Sequence, residues 1–271
     1  NKMLNIYVLI KQVPRLKDLR VDYKTGTILK KKKKNIINPD DLYALEQGIQ
    51  LKEKYGGVVT VMTMGPPQAD SSLREALAMG VDKAILISDP VFAYSDTLQT
   101  TLVLKEAFEK IIDFDVILTG SKTSDSSTGQ VPYQLSEALD IPLITHIFEM
   151  EIEEKIFKCQ RNFGHESQDI ECELPVLIRV IPHENMPRHV SLQGIKQAYE
   201  QDIEIIDFNA LNCPGYINGC NKSPTDVVKT VKVIHERKNQ FIEGTTQEKI
   251  EQIINLMKEY GIERIWTGDK E

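Results

Sequence analysis

The stretch Val116-Ile-Leu-Thr-Gly-Ser-Lys-Thr-Ser-Asp-Ser-Ser-Thr-Gly-Gln-Val131 decides the architecture. Val116 to Leu118 is a short apolar run of the kind that forms a strand buried on both faces. A loop of small, polar residues follows, Gly120 to Thr128, and Gln130 to Leu139 reads as a helix. A strand–loop–helix junction of this composition suits an anion. The first N–H groups of a helix lack partners and carry the positive end of its dipole, and small side chains let a phosphate approach the backbone. The pattern is neither G-x-G-x-x-G nor a P-loop, because no Gly-Lys-Ser/Thr closes it. The same residues also suit a capped turn with Ser127 or Thr128 as N-cap.

Outward from this junction the pattern repeats. Toward the N-terminus, strands are predicted at residues 4–10, 58–64 and 83–88. Helices alternate with them at 39–55, 65–80 and 96–111. Asn38 is the predicted cap of the first helix, Pro39 suits its first turn and Gly56-Gly57 ends it. This alternation predicts a doubly wound, mostly parallel α/β sheet of Rossmann-like type. After Pro142 the pattern changes: Leu143–Ile152, Ile156–Phe163 and Gln168–Glu173 read as strands of a small antiparallel extension, before Leu174–Ile181 returns as an apolar strand. Ser191–Tyr199 reads as a short helix capped by Ser191. Asn209–Thr225, without apolar periodicity, reads as a linker. Thr245 and Glu248 form a capping box for an amphipathic helix with Ile250, Ile253, Ile254 and Met257 on one face, a face expected to need a partner. The expected organisation is an α/β domain over residues 1–207 and an extended C-terminal arm over 208–271.

The composition is that of a folded globular chain, 41% hydrophobic and 27% charged over 271 residues. A net charge of −7 argues against nucleic acid as a partner. The basic run Lys30–Lys34, after a hairpin turning at Thr25-Gly26, reads first as a solvated loop and second as an electrostatic dock for an acidic partner. No segment is apolar enough to span a bilayer, and Asn1–Ile10 reads as a strand, not a signal peptide. The four cysteines form no C-x-x-C pair and the five histidines have no ligand spacing, so no metal site is indicated. Scattered thiols fit the cytoplasm.

Several segments together resemble the β subunit of electron transfer flavoproteins. They are Lys11-Gln-Val-Pro14, Ile37-Asn-Pro-Asp-Asp41, Leu51-Lys-Glu-Lys-Tyr-Gly-Gly57, Met64-Gly-Pro-Pro-Gln68, Arg74-Glu-Ala-Leu-Ala-Met-Gly80, Asp125–Val131 and Pro187-Arg-His-Val-Ser-Leu-Gln-Gly-Ile195. Each is weak alone, but their collinear order spans nearly the whole chain. The resemblance implies an adenine-nucleotide-binding α/β domain paired with an α subunit, and an arm that joins the α subunit's flavin domain. Carried over by position, the nucleotide contacts are Leu9, Asn38, Pro39, Asp40, Asp41, Met64, and Gly120, Ser121, Lys122, Thr123, Ser124, Asp125, Ser126, Ser127, Thr128, Gly129, Gln130 and Val131. No side chain is expected to act as acid, base or nucleophile.

Members of this family divide in two. In one group the β subunit holds AMP and the complex shuttles electrons to or from a dehydrogenase. In the electron-bifurcating group the crevice holds a second FAD, reduced by NADH; one electron then passes to ferredoxin or flavodoxin and the other, through the α-subunit FAD, to a dehydrogenase. Asp125, Thr128, Gln130 and Val131 stand where the bifurcating group carries these residues. Small Ser126, Ser127 and Gly129 leave room for a pyrophosphate, and Ser223-Pro-Thr225 with Val227 also resembles that group. FAD is therefore favoured over AMP. Asp125, which would repel a phosphate, is assigned to a hydroxyl or to bracing the loop. Where the family often carries an aromatic after Asn-Pro, this chain has Asp40. Residues 185–198 resemble the loop that docks on the dehydrogenase, with Leu192 as anchor flanked by Arg188 and Ser191. The lysine-rich stretch usual after that loop is Lys196–Asp202 here, which suits a 2-hydroxyacid (lactate) type of flavin-dependent dehydrogenase in place of an acyl-CoA type. A universal-stress-type nucleotide-binding module, the non-redox alternative, would need neither that loop nor the arm.

Overall fold

The computed structural model describes residues 3–15, 20–21, 28–29, 34–163, 166–182, 186–211, 215, 217, 223–225 and 241–260. Thr25-Gly26, Lys30–Lys33, His165, His183, Asn185, Cys213, Cys220 and Val227 lie outside them. The chain divides into two compact units, Asn1–Lys229 and Thr230–Glu271.

The first unit opens with β1 (Leu4–Leu9), followed by β2 (Gln12–Pro14), β3 (Arg20–Val21), β4 (Ile28–Leu29) and β5 (Asn35–Ile37). β2 pairs with β5 and β3 with β4, both antiparallel, so the predicted hairpin is present around its turn. Then α1 (Pro39–Tyr55), β6 (Gly57–Met64), α2 (Asp70–Met79), β7 (Lys83–Ile87), α3 (Thr97–Ile111), β8 (Val116–Thr119) and α4 (Val131–Leu139) alternate as expected. A 3-10 turn, Pro67–Ala69, precedes α2, because consecutive prolines shift the helix start away from Gly65. Next come β9 (Leu143–Thr145), β10 (Ile147–Glu153), β11 (Ile156–Phe163), β12 (Glu166–Glu173) and β13 (Val176–Arg179). The unit continues with α5 (Leu192–Glu200), β14 (Glu204–Ile206) and α6 (Phe208–Leu211).

Seven strands form one parallel sheet in the order β14-β7-β6-β1-β8-β13-β9. The chain winds from β1 through β6 to β7 on one side, then returns to place β8 on the other side of β1. The strand order therefore reverses between β1 and β8, the place where open α/β sheets leave a crevice. Strand side chains divide the interior in two. Ile6, Val8, Val59, Val61 and Leu118 pack with α1, α2 and the antiparallel extension. Leu9, Met62, Ile117 and Leu177 pack with α3 and α4.

Three expectations need correction. Leu143–Ile152 is not one strand. His146 takes a left-handed conformation (φ 61°) that breaks it, so β9 joins the parallel sheet beside β13, and the β10-β11-β12 meander alone is antiparallel. The segment 209–225 is not simply a linker. Leu211 and Ile217 are buried in the core around α3, and Asp96 accepts hydrogen bonds from Thr225 and from its Oγ1. β14, absent from the expected strands, adds an edge beside β7.

The second unit contributes α7 (Thr246–Glu259), whose capping box between Thr245 and Glu248 is formed as predicted. Its Ile250, Ile253 and Ile254 are exposed. No helix among the described residues is long and apolar enough to cross a membrane.

Candidate functional site

The loop between β8 and α4 is tied down by the first turn of α1. Asn38 occupies the N-cap position, yet its side chain caps nothing. Its Nδ2 donates to the Lys122 carbonyl at 2.9 Å and to Asp41 Oδ1 at 2.9 Å, while its Oδ1 accepts from Ser124 N at 3.0 Å. Asn38 is the N-cap by position, as expected, but its amide is spent on Asp41 and across the crevice in place of the free N–H groups of the helix. Ser121 donates its hydroxyl to Asp40, so the acidic residue that replaces an aromatic works as a tie. Asp41 is buried and accepts from Lys11 N at 2.7 Å as well as from Asn38. Burial outweighs these hydrogen bonds and pushes its carboxyl up to about 7.

This interlock requires Gly120. A Cβ there would stand 2.2 Å from Asp41 Oδ1 and 2.9 Å from the Asp41 backbone nitrogen. Asp125 braces the outer part of the loop through an ion pair with Lys11 Nζ at 2.7 Å. Although partial burial opposes it, the hydrogen bonds from Lys11 and Thr123 hold this carboxyl below its ordinary range. Of the two roles expected for Asp125, the geometry shows the bracing one.

Neither Ser127 nor Thr128 caps α4, contrary to expectation. Gln130 holds the N-cap position without a side-chain hydrogen bond, and the Ser127 hydroxyl turns back to the Thr123 carbonyl at 3.0 Å. Ser127 (φ 55°) and Gly129 (φ 60°) are both left-handed, which curls the chain before the helix. Among the described residues, the N–H groups of Thr128, Gly129, Gln130 and Val131 have no acceptor. They form a concave nest at the positive end of α4.

The sheet supplies the floor. Leu9, Thr119 and Arg179 stand in register across β1, β8 and β13, and therefore share a face. Thr119 is 5% exposed, and among the described residues its hydroxyl has no hydrogen-bond partner. Met64 ends β6 at the same edge. Arg179 was not singled out by its sequence, since a lone cation after Val-Leu-Ile reads only as a strand end. Its Nε donates to the Ser121 carbonyl at 2.9 Å, and its guanidinium lies 5.8 Å from the Tyr133 ring centroid. With Lys122, Ser127, Thr128, Gly129 and Gln130, these two residues line a cavity of about 400 Å³.

The docking candidates lie apart from this crevice. Arg188 is clamped on α1. Its Nε donates to Glu46 at 2.9 Å and its Nη1 to Glu53 at 2.7 Å, and Nη2 reaches both carboxylates. Burial of Glu46 would raise its carboxyl, but the Arg188 hydrogen bonds keep it below its ordinary range. Ser191 caps α5 by accepting from Gly194 N at 2.9 Å. The α5 helix lies on α2 so closely that a Cβ on Gly194 would meet the Ala78 carbonyl at 2.4 Å. Arg74 of α2 grips its far end through the Ala198 and Gln201 carbonyls. Leu192 is left 88% exposed at the start of this fixed helix.

The fold and crevice define an α/β protein whose strand order reverses beside a braced, N–H-rich loop, the arrangement of nucleotide-binding sheets. Residues 25–211 match the electron transfer flavoprotein domain. Over 255 residues the chain is 40% identical to the electron transfer flavoprotein subunit beta of Thermoanaerobacterium thermosaccharolyticum, covering 94% of this chain and 98% of that protein. It is 36% identical to the caffeyl-CoA reductase-Etf complex subunit CarD of Acetobacterium woodii, with coverages of 94% and 98%. With the acryloyl-CoA reductase electron transfer subunit gamma of Anaerotignum propionicum it shares 34% identity, covering 96% and 100%. The chain belongs to the electron transfer flavoprotein family, on the β-subunit side.

Proposed function

We propose that this chain is the β subunit of an electron-bifurcating flavoprotein, and that its crevice holds FAD rather than AMP. One observation carries the reading: the β8–α4 loop is pinned away from its helix by Asn38, Asp40 and Lys11, and this leaves the nest at Thr128–Val131 open. The small residues Ser126, Ser127 and Gly129 keep it clear of bulk. The likeness to subunits named for caffeyl-CoA and acryloyl-CoA reductase complexes supports the same reading.

The residues fit an adenine dinucleotide. The free N–H groups, the Thr119 hydroxyl, the Lys122 ammonium and the two terminal nitrogens of Arg179 are donors that lack an acceptor among the described residues. Thr128, Gly129, Gln130 and Val131 would hold phosphate oxygens. Leu9 and Met64 offer an apolar floor. Asn38, Asp40, Asp41, Ser121, Lys122, Thr123, Ser124 and Asp125 set the loop's position, and Pro39 fixes the first turn of α1 that carries those ties. Bound here, FAD would accept a hydride from NADH and release electrons singly toward ferredoxin or flavodoxin and toward the α-subunit FAD. The arm, from Thr230 onward, would pack on the α subunit, which would cover the exposed isoleucines of α7. Leu192, on its rigid mount, would dock on a flavin-dependent dehydrogenase of acyl-CoA or 2-hydroxyacid type.

Nucleotides released by denaturing the chain purified with its α subunit test this. Two FAD per heterodimer without AMP is the expected result. One FAD and one AMP would make this subunit a structural nucleotide carrier in a conventional shuttle. Thr128→Asp, which places a carboxylate in the nest, is expected to abolish retention; unchanged occupancy would refute the phosphate assignment.

A further inference from the structure

We infer that Lys122 and Arg179 form a second phosphate seat beside the nest, so that this crevice selects nucleotides with a diphosphate over monophosphates. The inference rests on the nucleotide-binding reading above and adds a specificity determinant to it. The nest serves one phosphate with peptide N–H groups. Next to it stands a guanidinium whose geometry is already fixed. Its Nε is tied to the Ser121 carbonyl and its carbon lies 5.8 Å from the Tyr133 ring centroid. That leaves the two terminal nitrogens, which among the described residues have no acceptor.

The Lys122 ammonium likewise has no carboxylate partner among the described residues, and no acidic residue lines the cavity. The nearby carboxylates are engaged elsewhere, Asp125 by Lys11 and Asp40 by Ser121. Two cations in one cavity, neither with a carboxylate partner among the described residues, are an arrangement that recognises a phosphate, and a guanidinium fork suits it best. The two seats adjoin. Arg179 Nη2 lies 3.9 Å from the point where a side chain on Gly129 would begin, and Gly129 belongs to the nest. Adjacent phosphates share a bridging oxygen, so seats for a diphosphate must touch in this way. A monophosphate can fill only one of them.

Calorimetric titration of the nucleotide-stripped heterodimer with ADP and with AMP tests the inference. Charge-assisted hydrogen bonds to the second phosphate predict that wild type binds ADP roughly 10- to 100-fold more tightly than AMP. Arg179→Gln, whose amide can still donate to the Ser121 carbonyl, is expected to remove most of that preference by weakening ADP far more than AMP. Lys122→Gln, at an exposed loop position, should weaken ADP selectively in the same direction. Tyr133→Phe keeps the ring and should keep the preference. If wild type bound both nucleotides equally, or if Arg179→Gln weakened both alike, the second seat would be refuted while the nucleotide site stood. If wild type bound neither, both readings would fall.

Discussion

Replacing Gly120 by alanine is expected to unseat the contact on which the crevice depends. The added Cβ would stand 2.2 Å from Asp41 Oδ1, about 1.2 Å short of ordinary van der Waals contact, and 2.9 Å from both the Asp40 carbonyl carbon and the Asp41 nitrogen. Gly120 does not adopt the left-handed conformation, so the perturbation is steric alone. Neither neighbour can swing aside. Two of the atoms are backbone in the first turn of α1, and the carboxylate is held by Lys11 N and Asn38 Nδ2. Overpacking of this kind costs roughly 1–3 kcal/mol, and losing one hydrogen bond to a buried carboxylate adds about 1–3 kcal/mol. A net loss of about 3 kcal/mol corresponds to a melting point lower by roughly 6–12 °C for a chain of this size. Urea and thermal denaturation of the chain purified with its α subunit would measure it, with nucleotide content determined on the same samples. Gly65→Ala, whose Cβ would meet only the Ala69 side chain at 3.3 Å, is the control. A Gly120→Ala protein within about 0.5 kcal/mol of wild type, with its nucleotide retained, would refute the view that α1 and the β8–α4 loop form a rigid interlock.

Other perturbations separate the parts. Asp41 is more easily protonated folded than unfolded, so its contribution to stability is full below about pH 4 and is lost as pH rises toward 7, at up to about 1.4 kcal/mol per pH unit. Asp41→Asn should remove that slope from urea-denaturation series, and parallel curves for the two proteins would contradict the burial argument. Arg188→Ala strips the guanidinium from the buried Glu46 and should destabilise by about 1–3 kcal/mol at neutral pH. Because the clamp holds Glu46 and Glu53 below their ordinary range, that difference should shrink as pH falls below about 4. Leu192→Arg should leave the melting point unchanged, given the residue's exposure, while weakening coupling to the partner dehydrogenase; intact coupling would remove Leu192 from the docking surface.

The central strands of the parallel sheet were legible because they are buried on both faces and read as apolar runs, and the starts of two later helices because the capping chemistry of Ser191 and Thr245 is local. What local pattern could not disclose is where a strand or a side chain goes next. The apolar run through Leu143–Ile152 continues across His146, and only the backbone reversal there assigns its two parts to different sheets. Leu211 and Ile217 are buried singly, without a period to announce them. The same limit governs the crevice. The small residues of 120–131 pointed to an anion, but the reason the loop stays open lies in Asn38, which is 84 positions from Lys122 in the chain. Asn38 carries a cap residue's identity in a cap position, and its side chain serves another element. Arg179 is the converse case. Nothing in Val-Leu-Ile-Arg marks the arginine until the register of β13 against β8 brings it beside Thr119 and the Ser121 carbonyl. A parallel sheet aligns the ends of strands that are remote in sequence, so the ligand-facing row of such a crevice is a property of register. A search restricted to contiguous motifs finds the small-residue loop and passes over the cation that strand register sets beside it.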